Sequence, residues 1–330
     1  MALIEKKNGV KPALVSIPSI SVQLGFEKPT EWSHVLGAIC YSGIRTPGNG
    51  FFIPLNNVKT EPVWEVIYTN SAVSLNALGD ISYGQSNDAI FASIEVSEGE
   101  HGGILNASEY IYSQMIQFQQ RHPDYQILKI WNYLDDITVG DLDDQRYKHF
   151  CVGRARACED NWQLFPAGCA LGTRQRERHL RVFWVATTFS AQTVENPRQT
   201  SAYQYPREYS PKAPLFSRSV RSQGQWWISG TASIIQAQSV HHGSVEHQFL
   251  EIFRNFEALL GNEYESFLRT SQFKVYLKTL TDSRAVLVQF DNFGISANRI
   301  FIFESDIFRE ELLIEIEPVF PTGNDAQQQT

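Results

Sequence analysis

Short strand-like segments alternate with amphipathic helices along most of this 330-residue chain. The predicted strands, rich in β-branched and aromatic residues, cover residues 63–69, 81–96, 127–134, 181–190, 225–233, 273–277, 300–303 and 312–316. The predicted helices, with apolar or small residues at helical spacing, cover residues 106–120, 144–158, 244–260 and 282–290. The strands are too aromatic and irregular for a doubly wound nucleotide fold, and neither GxGxxG nor a P-loop occurs. The pattern predicts an α+β fold, with mixed sheets and helices on one face.

The boundaries within this pattern follow from weaker signals. Residues 1–35, with scattered Pro and Ser, look irregular, and the tail GNDAQQQT (323–330) is expected to be disordered. Asn106 or Ser108 is expected to cap the helix that follows. A break at His122-Pro123-Asp124 divides the chain into a predicted N-terminal α+β domain over residues 1–125 and a second domain over residues 126–322.

Composition excludes several classes of protein. With 42% hydrophobic and 19% charged residues, the chain has enough apolar side chains for a sizeable core and is not disordered. No apolar stretch approaches the ~18 residues of a membrane helix, and MALIEKKNGV lacks a signal-peptide pattern. We therefore expect a cytoplasmic protein that binds no membrane. The four Cys form no CxxC pair and the adjacent His241 and His242 lack further ligands, so no metal or disulfide framework is expected.

Charge is distributed unevenly along the chain. The net charge of −8 argues against a nucleic-acid partner. Residues 146–221 nevertheless contain eleven Arg and two Lys against five acidic residues. Arg binds carboxylates and phosphates through two parallel hydrogen bonds, so this segment is either an anion site or a solvated basic face.

The apolar segment Leu312–Glu317 contains the first candidate for catalysis. Side chains alternate along a strand, so Glu315 and Glu317 share one face, roughly 6.5–7 Å apart. Burial and a second carboxylate both raise the pKa of a carboxyl group, which makes Glu315 a candidate general acid. The alternative is an ordinary strand whose polar face lies in water.

Three further segments suggest a site for a small anion. In Gly153-Arg154-Ala155-Arg156 the two Arg cannot share a helix face, so one of them is expected to point inward. Residues 195–209 interleave Arg and Tyr, which can hold carboxylates and stack on a flat ring. In Ile228–Ser233, Gly230 permits close approach of the backbone to a ligand.

Together, five segments resemble the chorismatases, a family also described as pteridine-dependent deoxygenase-like proteins or 3-hydroxybenzoate synthases. They lie in order over about 190 residues: IWNYLDDI (130–137), RYKHFCVGRARA (146–157), VENPRQTSAYQYPREYSP (194–211), ISGTASI (228–234) and ELLIEIE (311–317). The resemblance implies a fold related to YjgF-like (Rid) proteins and trimeric chorismate mutases, with the YjgF-like catalytic domain over residues 126–322. Chorismatases are longer and hold the equivalent packing within one chain, so the resemblance implies a monomer.

The resemblance also implies an activity and a set of site residues. Chorismatases cleave the enol-pyruvyl ether of chorismate and release pyruvate, without a cofactor. Glu315 matches the family's catalytic glutamate. The segments that supply substrate-binding groups contain Arg154, Arg198, Tyr203, Arg207, Thr231 and Ala232. Cleavage of a vinyl ether needs one acid that is protonated until use, in a site that excludes bulk water.

Two positions are expected to decide the product. Some chorismatases form a dihydroxycyclohexadiene carboxylate, and others form 3-hydroxybenzoate, sometimes with 4-hydroxybenzoate. Ala232 is similar to the hydrolytic type, since the aromatising type has Gly there. Phe308 stands where aromatising relatives carry Cys, which is a departure from their pattern. We expect the non-aromatic acid as the major product.

Two other functions remain as alternatives at this stage. One is a non-catalytic or deaminase-like YjgF-type protein that binds small enamine or imine metabolites, which would not need Glu315. The other is an RNA-binding module that uses the Arg- and Tyr-rich loop, which the negative net charge disfavours.

Overall fold

The computed structural model describes residues 19–42, 50–162, 164–175 and 177–320; the tail predicted over residues 323–330 lies outside them. The strands, in chain order, are β1 (Ile20–Gly25), β2 (Val35–Tyr41), β3 (Phe51–Ile53), β4 (Val63–Thr69), β5 (Ser74–Leu78), β6 (Ile81–Gln85), β7 (Ala89–Ser97), β8 (Gln126–Asp135), β9 (Ala167–Thr173), β10 (His179–Thr187), β11 (Ala191–Val194), β12 (Ser219–Ser222), β13 (Gln225–Ile228), β14 (Thr231–Ala232), β15 (Ile234–Ile235), β16 (Gln238–Ser239), β17 (Gln272–Leu277), β18 (Ile300–Glu304), β19 (Asp306–Ile307) and β20 (Ile314–Val319). The α-helices are α1 (Ile104–Arg121), α2 (Arg146–Cys158), α3 (Val245–Leu260), α4 (Tyr264–Thr270) and α5 (Ser283–Asn292). Short 3₁₀ helices cover Glu98–His101, Leu142–Asp144, Ala202–Gln204, Gly261–Glu263, Leu280–Asp282 and Ala297–Arg299.

The predicted α+β architecture is confirmed. Helices α1 and α2 cover one face of a seven-stranded sheet, with their apolar side chains packed against β7, β8 and β10. Helices α3 and α5 cover a four-stranded sheet that contains β17, β18 and β20. The opposite faces of these sheets meet a third sheet in a central core. Among the described residues, no helix has both the length and the apolar character needed to cross a bilayer.

Three groups of four strands repeat one arrangement. In the orders β1-β4-β2-β3, β7-β10-β8-β9 and β14-β20-β17-β18, each strand is hydrogen-bonded to its neighbour in the sequence written. In every group the first two pairs are antiparallel and the last pair is parallel. The chain therefore folds three times into the same sheet topology and packs the three copies around one core.

The three copies meet at a cluster of tyrosines. Tyr41, Tyr133 and Tyr276 come from the equivalent strands β2, β8 and β17, and all three are fully buried. The hydroxyl of Tyr133 lies 3.2 Å from the hydroxyl of Tyr41 and 3.2 Å from that of Tyr276. These contacts join the three copies through one buried cluster of hydroxyl groups.

Parts of the first copy were not predicted from the sequence. β1 lies inside residues 1–35, which look irregular, and β2 begins at Val35. Only two of the six β1 residues are buried, so the strand lacks an apolar signature of its own. Its stability comes from antiparallel pairing of all six of its residues with Trp64–Thr69 of β4.

Helix α1 also starts earlier than expected. It begins at Ile104 with Gly103 as its cap, so the prediction of a cap at Asn106 or Ser108 was wrong. Ser108 lies within the helix and donates a hydrogen bond to the carbonyl oxygen of Phe150 on α2. Its hydroxyl is therefore used to join the two helices.

Hydrogen bonding crosses the predicted domain boundary. The seven-stranded sheet contains β5, β6 and β7 from before residue 125 and β8, β9 and β10 from after it. Strand β10 lies between β7 and β8 and pairs with both. No break between sheets therefore coincides with residues 125 and 126.

Candidate active site

Strand β20 places Glu315 in the interior of the protein. The strand is paired on both sides, with Thr231–Ala232 along one edge and β17 along the other. Glu315 is 2% exposed and Glu317 is fully buried. The structure therefore excludes the alternative in which this strand has a polar face in water.

Burial controls the protonation of Glu315. Removal of its carboxyl group from water, with an added contribution from the charge of Glu317, raises its pKa to about 8, against the opposing effect of Lys129. Within the described residues, no hydrogen bond reaches this carboxyl group to stabilise its charged form. Glu315 is therefore protonated at neutral pH and can donate a proton.

Glu317 is held in the opposite state. Burial alone would raise its pKa, but Lys129 and Lys274 lower the pKa well below the usual range of a carboxyl group. Glu317 accepts a hydrogen bond from the Trp131 indole at 2.6 Å and one from the Tyr276 hydroxyl at 3.1 Å. The two neighbouring acids are thus one neutral and one ionised, a division typical of acid–base sites.

A glycine makes room for the Glu315 carboxyl group. A Cβ atom built on Gly230 would lie 1.9 Å from Oε1 of Glu315 and 3.1 Å from Cβ of Cys169. Any side chain at position 230 would displace the acid. The sequence predicted a close approach at Gly230, and the group that approaches it is this carboxyl.

Glu315 faces a small cavity between the second and third copies of the repeated sheet. Its volume is about 20 Å³, enough for one water molecule. The lining residues come from α2, β9, β20 and the segments between elements: Tyr147, Arg154, Gly168, Cys169, Ala170, Phe216, Gly230, Phe308 and Glu315.

Arg154 supplies a buried positive charge to this cavity. It is 4% exposed, and its guanidinium lies 5.6 Å from the ring centre of Tyr112 and 5.2 Å from that of Phe150. Among the described residues, no carboxylate forms an ion pair with Arg154, and its Nε atom has no hydrogen-bond partner. A buried cation without an acidic partner is a strong candidate for binding an anionic ligand.

The structure distinguishes Arg154 from Arg156. The Arg156 side chain is 51% exposed and pairs with Glu109 on α1 at 3.0 Å. Of the two arginines, only Arg154 lines the cavity. One of them points inward, as the sequence predicted.

The two positions expected to decide the product lie close to the acid. Ala232 is directly opposite Glu315 in the β14–β20 pair, so both side chains project from the same face. Phe308 lines the cavity and packs against the apolar cluster that contains Ala232. Thr231 is paired with Ile316, and its hydroxyl donates to the carbonyl oxygen of Ser229 at 3.1 Å.

Three other predicted contacts lie away from the cavity lining. Arg198 binds Glu251 at 2.5 Å and Asn255 at 3.1 Å, both on α3. Arg207 is 63% exposed and pairs with Asp143 at 2.6 Å. The ring of Tyr203 lies against Phe165, with 4.9 Å between their centres.

Two other arginines, which the sequence patterns did not indicate, lie near these residues. Arg309 lies next to Phe308, with its guanidinium 4.2 Å from the ring centre of Tyr209. Arg218 is buried, and it donates to the Tyr205 hydroxyl at 2.7 Å. Arg218 belongs to the same basic segment as Arg198 and Arg207, but its neighbours gave no sign that it would be buried.

The comparisons with known proteins agree with the resemblance seen in the sequence. Residues 65–186 match the family model described as chorismatase FkbO/Hyg5-like, N-terminal. A 3-hydroxybenzoate synthase of Streptomyces hygroscopicus is 26% identical over 320 residues, which cover 88% of this chain and 93% of the relative. A chorismatase of the same organism is 27% identical over 275 residues, covering 78% of this chain and 79% of the relative.

A solved structure shows the same fold. A chorismatase crystal structure superposes with a TM-score of 0.78 at 24% sequence identity, covering 92% of this chain and 98% of that chain. The fold of the described residues is therefore that of a chorismatase.

We expect Gly230→Ala to expel the Glu315 carboxyl group from its place, because the new methyl group would overlap Oε1. The carboxyl group should reach water and lose its raised pKa. An infrared pH titration measures this as loss of the protonated-carboxyl band near neutral pH.

Gly168→Ala is the matched control. Gly168 lines the same cavity, but a Cβ atom there would only approach the Ile130 carbonyl at 3.4 Å and Phe216 at 3.5 Å. The band should persist in this variant. An unchanged band in Gly230→Ala would contradict the close approach seen in the structure.

Proposed function

We propose that this relative of the chorismatases is itself a chorismatase, which cleaves the enol-pyruvyl ether of chorismate and releases pyruvate. One observation carries the proposal: a buried, protonated Glu315 shares a cavity with the buried and unpaired Arg154. The reaction needs an acid that is neutral at working pH and a cation that receives a substrate carboxylate.

Glu315 is the proton donor in the proposed mechanism. Its proton passes to the methylene carbon of the enol-pyruvyl group, which becomes an oxocarbenium ion while Glu315 becomes a carboxylate. The new carboxylate stabilises the cation across the cavity. Water then adds to the cationic carbon, and its proton returns to Glu315. The resulting hemiketal separates into pyruvate and the ring alcohol.

Arg154 orients the substrate by pairing with a carboxylate. The cost of burying its charge is offset only when an anion enters, because no acid of the described residues pairs with it. The cavity of about 20 Å³ is too small for chorismate. Entry therefore requires Phe216 and Phe308 to move away, and their return excludes bulk water during proton transfer while leaving the reacting water molecule inside.

Arg198, Tyr203, Arg207 and Thr231 stay proposed substrate contacts. Of these four residues, Thr231 is the best supported, because it directly follows Gly230, which lies against the Glu315 carboxyl group. Arg198 and Arg207 already bind Glu251 and Asp143, so each would have to exchange that partner for the substrate.

We infer the non-aromatic dihydroxy acid as the major product. The methyl group of Ala232 and the ring of Phe308 both narrow the space beside Glu315. A ring held in one position cannot shift for an intramolecular rearrangement, so water captures the cation.

A monomer and a cytoplasmic location also stay proposals. The presence of three sheet copies within one chain supports the monomer.

The decisive experiment incubates the purified protein with chorismate between pH 5 and 9. Pyruvate is assayed directly, and the organic acids are separated by chromatography. Release of pyruvate supports the proposal. If no pyruvate forms at any of these pH values, the protein is not a chorismatase.

Glu315→Gln keeps the shape of the side chain but removes the proton that is transferred. We expect kcat to fall by roughly 10²–10⁴-fold, the usual size of a general-acid contribution. In the native protein kcat/KM should fall above about pH 8, because only the protonated form donates. Glu310→Gln, at an exposed position, is the control and should leave turnover unchanged. If Glu315→Gln turned over chorismate at the native rate, another residue would have to be the proton donor.

Arg154→Gln should weaken chorismate binding by about 2–5 kcal/mol, the usual loss when one partner of a desolvated pair is removed. Calorimetry in the Glu315→Gln background measures binding without turnover. Arg154→Lys should restore only part of the affinity, since an ammonium cannot form two parallel hydrogen bonds. Arg156→Gln, two residues along, should bind normally. Equal losses of affinity in Arg154→Gln and Arg156→Gln would show that Arg154 acts through its net charge alone and not through a direct contact with the substrate.

The double variant Ala232→Gly with Phe308→Cys should shift the products towards hydroxybenzoate, because it opens space beside Glu315. Chromatography of the reaction mixture gives the ratio of aromatic to non-aromatic acid. Each single variant shows which position contributes. An unchanged ratio would mean that these two side chains do not control the outcome.

A further inference from the structure

We propose that Glu65, Lys129 and Lys274 are positioning residues for proton transfer by Glu315, although none of them lines its cavity. The proposal rests on the function given above. Three buried charges, each from a different sheet copy, set how strongly the ionised Glu317 opposes ionisation of Glu315, and so set the pH at which Glu315 loses its proton.

The four charged groups form a continuous chain of ion pairs. Oε1 of Glu317 lies 2.6 Å from Nζ of Lys129 and 3.0 Å from Nζ of Lys274. Nζ of Lys274 lies 2.6 Å from Oε2 of Glu65. All four side chains are at most 3% exposed. Two positive and two negative charges leave the cluster neutral as a whole.

Further hydrogen bonds hold the ends of this chain in place. Lys129 donates to the carbonyl oxygen of Ile228 at 2.6 Å. Glu65 accepts from the Tyr41 hydroxyl at 2.6 Å. Because every member of the chain has a fixed partner, removal of one charge cannot be compensated by rearrangement of another.

The effect on Glu315 follows from distance. Glu317 is two residues away on the same strand face, roughly 6.5–7 Å along the strand. In a buried site, charges this close change a pKa by about one unit or more. An ionised Glu317 therefore opposes ionisation of Glu315, to a degree set by the lysines that neutralise it.

Other groups also face Glu315. Tyr147 on α2, Cys169 on β9 and Tyr276 on β17 are uncharged near neutral pH, since burial raises the pKa of each. Arg154 on α2 is charged with or without Glu65, Lys129 or Lys274, so its effect on Glu315 stays the same when one of these residues is replaced. The charges that change are therefore those of the ion-pair chain.

The proposal predicts shifts of opposite sign. Glu65→Gln leaves Lys274 partly unopposed, which stabilises the ionised form of Glu315. The alkaline limb of the kcat/KM profile should then move to lower pH by roughly half to one unit. Lys129→Met removes a positive charge, so the limb should move to higher pH by a similar amount.

An infrared titration measures the protonation of Glu315 without turnover. The carboxyl band of Glu315 is assigned by its absence in Glu315→Gln, and its midpoint should move with each variant as the kinetic limb does. If the protein released no pyruvate, this titration would still test the charge chain. The proposed function and the positioning roles can therefore fail separately.

The controls separate electrostatics from damage to the fold. Glu65→Asp keeps the charge and should retain the native midpoint, while Glu61→Gln removes an exposed carboxylate nearby and should change nothing. The neutral double variant Glu65→Gln with Lys274→Met covers the case in which the singles do not fold. In this double variant the midpoint of the Glu315 carboxyl band should lie above that of Glu65→Gln. If Glu65→Gln does not fold, the midpoint of the double variant should still lie above the native value. Folded variants with the native midpoint would reduce these residues to a structural role.

Discussion

The ion cluster of Glu65, Lys129, Lys274 and Glu317 is the interaction on which the rest of the structure depends. It joins all three sheet copies in the buried interior of the protein. Removing one partner from a buried pair typically costs about 3–5 kcal/mol, because the other charge is left unpaired. A one-residue slip of any of these strands would turn its charge away from the others. The cluster therefore fixes the register that brings the three sheets together.

This register determines the chemistry of the site. With Glu317 held by two lysines, Glu315 projects from the same strand face with no cation of its own. Gly230 lets its carboxyl group lie against the backbone, away from water. The acid is thus protonated because the neighbouring acid has taken the available partners, and Arg154 is left unpaired to receive an anion.

The three described copies carry different side chains at the position that Glu315 occupies in the third. The residues that face Tyr41, Tyr133 and Tyr276 across the antiparallel pairs are Val63, Arg181 and Glu315. The cleft beside Val63 holds an apolar cavity of about 200 Å³, whose lining includes neither an acid nor an arginine. The same topology therefore supports a reactive site in one place and plain packing in another, because site chemistry depends on side chains and not on the fold.

The sequence by itself determined the elements with strong periodicity and the strand face that Glu315 and Glu317 share. The apolar alternation of residues 312–317 was enough to place Glu315 and Glu317 on one face, and the helical spacing of α3 was equally clear. It did not reveal β1, whose stability comes from pairing with β4. Only the tertiary structure decided that Arg154 faces the cavity while Arg198 and Arg207 bind other acids. It alone brought Glu65 to Lys274, 209 residues away. Local patterns record which faces are buried, whereas partners so distant in sequence are chosen by the packing of whole sheets.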